Sequence, residues 1–321
     1  MFHGSIVALV TPFREDALDE RAFQRLIAWH LEEGTQGFVP VGTTGESPTL
    51  SHPEHERVIE LCVEAVGGRA PVIAGTGSNS TEEAISLTRH AKRAGADAAL
   101  VVTPYYNKPT QEGLFQHYRA VAAVGLPVVL YNVPGRTGCD LLPETVARLC
   151  ELPQVVALKE ATGTVQRTQQ VLARVGDRLT LLSGEDALNY PLYCVGARGC
   201  ISVVSNVAPW LVSGCYDAVC AGEHDKARAL HYRSLPLADA LFLESNPIPT
   251  KAALAMLGRM SPELRLPLCP MTDSNQKKLR AVLVEQGHAK QTRDVFKRYL
   301  THGNPGYVAH AWATVPQAMA R

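Results

Sequence analysis

The sequence has no surplus of either charge. Its 321 residues carry 31 Lys and Arg against 31 Asp and Glu, so it has no basic excess to point to nucleic acid and no charge run to point to an anionic membrane surface. No apolar stretch approaches the ~20 residues that span a bilayer. The N-terminus, MFHGSIVALVTPF, lacks a basic region, a long apolar centre and a small-residue cleavage site, so it reads as a first strand and not as a signal peptide. The eight cysteines (Cys62, Cys139, Cys150, Cys194, Cys200, Cys215, Cys220 and Cys269) show no C-x-x-C spacing. That argues against a metal site and fits reduced thiols in a cytoplasmic protein. A G-x-G-x-x-G fingerprint and a P-loop are also missing. What remains is a chain that is 46% hydrophobic and 19% charged, an ordinary globular mix whose partner is expected to be a small molecule.

Short β-branched runs recur at roughly 25 to 35 residues, the length of one βα unit. They are SIVALVT (5–11), GFVPVG (37–42), PVIAGTG (71–77), AALVVTP (98–104), PVVLYNV (127–133), VVALKEA (155–161), LTLLSGE (179–185) and GCISVVS (199–205). Helical periodicity fills the gaps, as in 19–34 and in 80–95, where Ser80 as N-cap and Glu83 three residues on predict a capping box closed off at Gly95. Near-continuous apolar strands imply burial on both faces. Eight such strands alternating with helices predict a (β/α)8 TIM barrel. The barrel is expected over 1–222, with a helical appendage over 223–290 broken at Pro247, Pro249, Pro262 and Pro267. Residues 291–321 are an extension of unknown role, and the Ala-, Gly- and Pro-rich stretch 301–321 is expected to be loosely ordered.

Chemistry in such barrels sits at the C-terminal ends of the strands. Lys159 closes the run VVAL, so its stem starts inside the barrel and its amine points to the mouth. An arbitrary lysine there would snorkel to solvent, but apolar flanks and the lack of other strand lysines favour a nucleophile. Apolar surroundings disfavour the ammonium and free the lone pair for attack on a carbonyl. The resulting iminium makes the adjacent carbon acidic, giving an enamine. Tyr131 ends the fifth strand and offers a phenol for proton relay. Thr43 and Thr44, in GTTGES, offer hydroxyls and backbone N–H groups to a carboxylate. Tyr105 and Tyr106 follow the fourth strand. Arg136 follows the fifth, where its fork can grip a second carboxylate.

GTTGES, TPYYNKPTQEGL, YNVPGRTGCDL, ALKEATG, SGEDAL and GCISVVSN stand in order along the chain. Together with SNPIPTKAAL they resemble the dihydrodipicolinate synthase family, from about residue 4 to 287. The resemblance implies that pyruvate condenses with L-aspartate 4-semialdehyde to give 4-hydroxy-tetrahydrodipicolinate, on the route to diaminopimelate and lysine, with no metal or organic cofactor. It implies that Lys159 forms the imine, and that Thr43, Tyr131 and Tyr106 relay protons, with Tyr106 reaching into a neighbouring subunit's site. Thr44 holds the pyruvate carboxylate and Arg136 that of the semialdehyde, while Gly184 and Ile201 line the pyruvate site. A homotetramer, a dimer of tight dimers, is implied. So is feedback inhibition by lysine at Ser47, Pro48, His52, His55, Asn79, Glu83 and Tyr105, with Glu83 meeting the effector's amine. Pro48 replaces an expected small residue and predicts a stiffer loop and weaker inhibition. Tyr105 borders both sites, so its loop is the expected link between them. Two alternatives stay open: an N-acetylneuraminate lyase or keto-deoxy sugar-acid aldolase of the same superfamily, against which Arg136 speaks, and a non-catalytic barrel scaffold, which would have no need of Lys159 and Tyr131.

Overall fold

A computed structural model of the chain describes residues 2–287; the extension expected at 291–321 lies outside the described residues. Eight parallel strands form the sheet: β1 (Gly4–Ala8), β2 (Gly37–Val39), β3 (Ile73–Gly75), β4 (Ala98–Val102), β5 (Val128–Asn132), β6 (Val155–Glu160), β7 (Thr180–Ser183) and β8 (Gly199–Ser202). Each pairs with its sequence neighbour, and β8 pairs with β1. A parallel bridge between Phe38 and Val72 joins β2 to β3 and closes the ring. All eight expected strands are present, but shorter than their apolar runs. β2 stops at Val39 because Pro40 has no N–H to donate and Val41 turns to a left-handed φ of 48°.

Helices cover the outside: α1 (Glu20–Glu32), α2 (His52–Val66), α3 (Thr81–Ala94), α4 (Gln111–Ala122), α5 (Pro143–Leu149), α6 (Val165–Val175), α7 (Asn189–Cys194) and α8 (Pro209–Cys220). Their starts are written in side chains. Asp19, Ser51, Ser80, Thr110 and Thr164 each accept a first-turn N–H. The reciprocal capping box expected at Ser80 and Glu83 is only half made. Ser80 caps the helix, but the Glu83 carboxylate turns away to Ser78 and His52. The complete box is at Ser51 and Glu54. Alternation along the strands divides the core. Leu130, Leu158 and Leu181 face the helices, while Ile6, Val39, Ile73, Leu100, Val129, Ala157, Leu182 and Ile201 fill the barrel interior.

Beyond the barrel come α9 (His224–Ala240), α10 (Ile248–Met256) and α11 (Asp273–Glu285). Pro249 does not break a helix as expected. It lies in the first turn of α10, where the missing N–H has no intrahelical acceptor to lose. Pro236 lies within α9. Among the described residues no helix is long and apolar enough to cross a membrane.

Candidate active site

Lys159 and Ala157 share one face of β6, and Ala157 belongs to the barrel-interior cluster. Period-2 alternation therefore aims the lysine stem inward. It is 6% exposed. In register it stands between Tyr131 on β5 and Leu182 on β7, and its Nζ lies 4.3 Å from the centre of the Tyr131 ring, a cation–π distance. Gly184 follows β7, and a Cβ there would come within 2.8 Å of Ala161 Cβ and 3.1 Å of Lys159 Cε. Glycine at that position keeps the space beside the lysine open. Ile201, 1% exposed, lies on the same interior wall.

The loop after β2 carries Thr43, half-buried, and Thr44, buried. The Thr44 hydroxyl accepts a bond of 2.8 Å from Asn246 Nδ2, and Asn246 in turn accepts from Thr250 on α10. Two residues on, Glu46 sits in a left-handed conformation (φ 55°) with its carboxylate 2.6 Å from Lys251 Nζ. Lys251 is fully buried, donates to the Thr11 carbonyl at 2.9 Å and lies over the Phe13 ring. Burial pushes its ammonium down to about 8, against the pull of Glu46. Its amine is committed to these partners. Asn246, Glu46 and Lys251 were not singled out by sequence. The signal available was a lone lysine in the otherwise mostly apolar helix IPTKAALAM.

Arg136 lies in a single helical turn, Pro134–Thr137, exposed, with Nη2 3.5 Å from the Asn246 carbonyl. The segment is anchored behind. Asp140 takes two 2.7 Å bonds from the Arg167 guanidinium and one from Asn132, which holds its carboxyl below the usual range. The loop after β4 is bound to the same turn, since Tyr106 N–H donates to the Thr137 carbonyl. Tyr106 has φ 75° and its ring is 89% exposed. It stands out in solvent and is not brought together with the buried Lys159 and Tyr131 of its own chain. Strain is concentrated at these loops. Among the described residues, and apart from Glu15 and Asp16, the non-glycine residues with positive φ are Val41, Glu46, Tyr106 and Lys108, all in the loops after β2 and β4.

A second cluster joins the starts of α2 and α3. Glu83 accepts from Ser78 and lies 2.7 Å from His52 Nε2. The Ser78 hydroxyl, with help from His52, holds the Glu83 carboxyl below its ordinary value. His55 is buried nearby and pushed down to about 4, by burial first and by the neighbouring His52 and His90 second. Ser47 opens a 3₁₀ turn in which Pro48 is exposed. Asn79 accepts through its carbonyl from Asn107 Nδ2, one residue beyond Tyr106. Tyr105 is partly exposed on the same loop. The cluster is therefore wired by one hydrogen bond to the loop that carries Tyr106.

The model of the dihydrodipicolinate synthetase family matches residues 1–286. A 4-hydroxy-tetrahydrodipicolinate synthase of Geotalea uraniireducens is 55% identical over 288 residues, 89% of this chain and 99% of that protein. Among solved structures, the chloride-inhibited dihydrodipicolinate synthase of Acinetobacter baumannii complexed with pyruvate is 47% identical with a TM-score of 0.88, over 89% of this chain and 99% of that one. The Cyanidioschyzon merolae protein with lysine bound is 40% identical with a TM-score of 0.86, again over 89% of this chain and 99% of the other.

Proposed function

The chain belongs to the dihydrodipicolinate synthetase family, and on that premise we propose that its barrel mouth joins pyruvate to L-aspartate 4-semialdehyde through a Lys159 imine. It is an enzyme with 4-hydroxy-tetrahydrodipicolinate synthase activity, a lyase of diaminopimelate and lysine biosynthesis. The observation that carries the mechanism is the placement of Lys159: an amine sunk in an apolar barrel, beside a tyrosine ring and a glycine-lined space.

The Lys159 amine adds to C2 of pyruvate and water leaves, forming the iminium. Loss of a C3 proton gives the enamine, whose C3 attacks the aldehyde carbon of the second substrate. Addition of that substrate's amine to the imine carbon closes the ring and releases Lys159. Each step moves a proton, and Tyr131 is buried beside the lysine to carry it. Thr43 and a neighbouring subunit's Tyr106 complete the relay. This reading is supported by the outward stance of Tyr106 and gives the proposed homotetramer, a dimer of tight dimers, a chemical reason. Thr44 and the loop's N–H groups hold the pyruvate carboxylate, with Gly184 and Ile201 lining the site. We place the reaction in the cytoplasm, with no metal or organic cofactor. Assay of pyruvate with aspartate semialdehyde beside N-acetylneuraminate tests the substrate choice. Turnover of the sugar acid alone would reverse it.

Arg136 is the proposed ligand of the semialdehyde carboxylate. Arg136→Ala is expected to lower kcat/KM for the aldehyde about 100-fold, the scale of a lost charge-assisted bidentate contact, while imine formation with pyruvate persists. Equal loss in both steps would move Arg136 from the second substrate to the first.

We propose that lysine inhibits at Ser47, Pro48, His52, His55, Asn79, Glu83 and Tyr105. The reading is supported by the ionised Glu83 carboxylate, placed to exchange His52 for an ammonium, and by the lysine-bound relative. Glu83→Gln is expected to raise the lysine concentration for half-inhibition about tenfold or more with little change in uninhibited turnover. Full wild-type activity at saturating lysine would remove the proposal.

A further inference from the structure

Glu46 and Lys251 are buried opposite charges that the reaction does not use. Stability alone is a poor reason for them, because an apolar pair of similar volume commonly serves a core as well or better. Their place is informative. Glu46 follows Thr43, Thr44 and Gly45 directly, and its left-handed backbone (φ 55°, ψ 36°) fixes the turn that presents those hydroxyls. Both carboxylate oxygens are held. Lys251 Nζ donates to Oε1 at 2.6 Å, and the Arg265 N–H donates to Oε2 at 3.2 Å. The Lys251 ammonium also grips the Thr11 carbonyl, and the Thr11 hydroxyl donates to the Gly45 carbonyl at 2.7 Å. The residue before it, Thr250, holds Asn246, which donates to Thr44. One turn of α10 thus grips the loop twice, at Thr44 and at Glu46.

We propose that the Glu46–Lys251 pair is a positioning device for the pyruvate carboxylate, setting the Thr43–Thr44 hydroxyls from a helix outside the barrel. Lys251 acts through Glu46 and touches no substrate. This rests on the reading that the loop after β2 binds that carboxylate.

The test compares the full-length protein with Lys251→Met, Glu46→Gln/Lys251→Met and Glu46→Asp. Lys251→Met strands a buried carboxylate and is expected to melt well below wild type. The double variant removes both charges and is expected to regain most of that stability. Its KM for pyruvate is expected to stay raised, roughly tenfold or more given the sensitivity of oriented sites to small displacements, with a smaller change in kcat. Glu46→Asp keeps the charge, and therefore the fold, but shortens the reach. It is expected to raise KM for pyruvate in the same way, and it carries the test if the double variant does not fold. A wild-type pyruvate KM in a folded double variant, or in Glu46→Asp, shows the pair to be structural and overturns the proposal. Borohydride trapping of wild type with pyruvate separates the two levels: absence of a trapped imine overturns the underlying reading and this proposal with it, whereas a trapped imine beside an unchanged variant KM overturns this proposal alone.

Discussion

Lys159→Met is expected to lower turnover by on the order of 10⁴-fold or more, the scale seen when a covalent nucleophile is removed. The fold should survive. Methionine keeps the unbranched stem packed against the interior wall, and removing a buried amine removes a group that is costly to desolvate. The variant should therefore melt no lower than wild type, and pyruvate should leave no reducible adduct. A variant that keeps a tenth of wild-type turnover, with the melting temperature unchanged, would mean that another group does the chemistry. Lys251 is the alternative most open to test, being the other buried lysine among the described residues, but its amine is bound by Glu46 and by the Thr11 carbonyl.

Mild acid is expected to destabilise the protein before most carboxylates titrate. His30, His55 and His117 are buried, at 0%, 3% and 4% exposure. Burial holds them neutral, with values pushed down to about 3, 4 and 4. Well above pH 6.5 both the folded and the unfolded chain leave these imidazoles neutral, so little is lost there. Below 6.5 the unfolded chain takes up three protons that the folded chain refuses, and stability falls with pH. Over the window from pH 7 to 5.5 the three together cost about 4 kcal/mol. Glu54, held down to about 2 mainly by Arg265, adds to the loss only below the ordinary carboxylate range. Glu160 and Glu185, raised by burial, work in the opposite direction. The histidine contribution is read in the window from pH 7 to 5.5. Melting temperatures recorded across it should fall steeply, and His117→Gln should flatten the slope by roughly a quarter to a third, since burial lowers His231 as well. A flat profile from pH 7 to 5.5 would refute the assignment of neutral buried rings.

The barrel was legible because two signals agreed. β-branched runs marked the strands, and their spacing matched one βα unit. Lys159 was legible for a related reason: the alternation that buries Ala157 also buries the residue two further on. The strand ends were less legible, since Pro40 and the left-handed Val41 end β2 inside an unbroken apolar run. Glu83 misled at one level and informed at another. Its spacing from Ser80 fits a capping box, yet the carboxylate is drawn to Ser78 and His52, partners that helix periodicity does not reveal. The roles of Asn246, Glu46 and Lys251 were harder to read for a plainer reason. Their partners lie about two hundred residues away in sequence, and local pattern carries no information about pairings at that distance. Tyr106 shows the opposite limit. The motif marks it, yet within its own chain the side chain stands in solvent, away from Lys159 and Tyr131.

Borohydride reduction in the presence of pyruvate, followed by peptide mass mapping, reads out the imine itself. One pyruvate-derived adduct per chain is expected, on the peptide that contains Lys159. No adduct, or one on Lys251 or any other lysine, rules out a Lys159 imine.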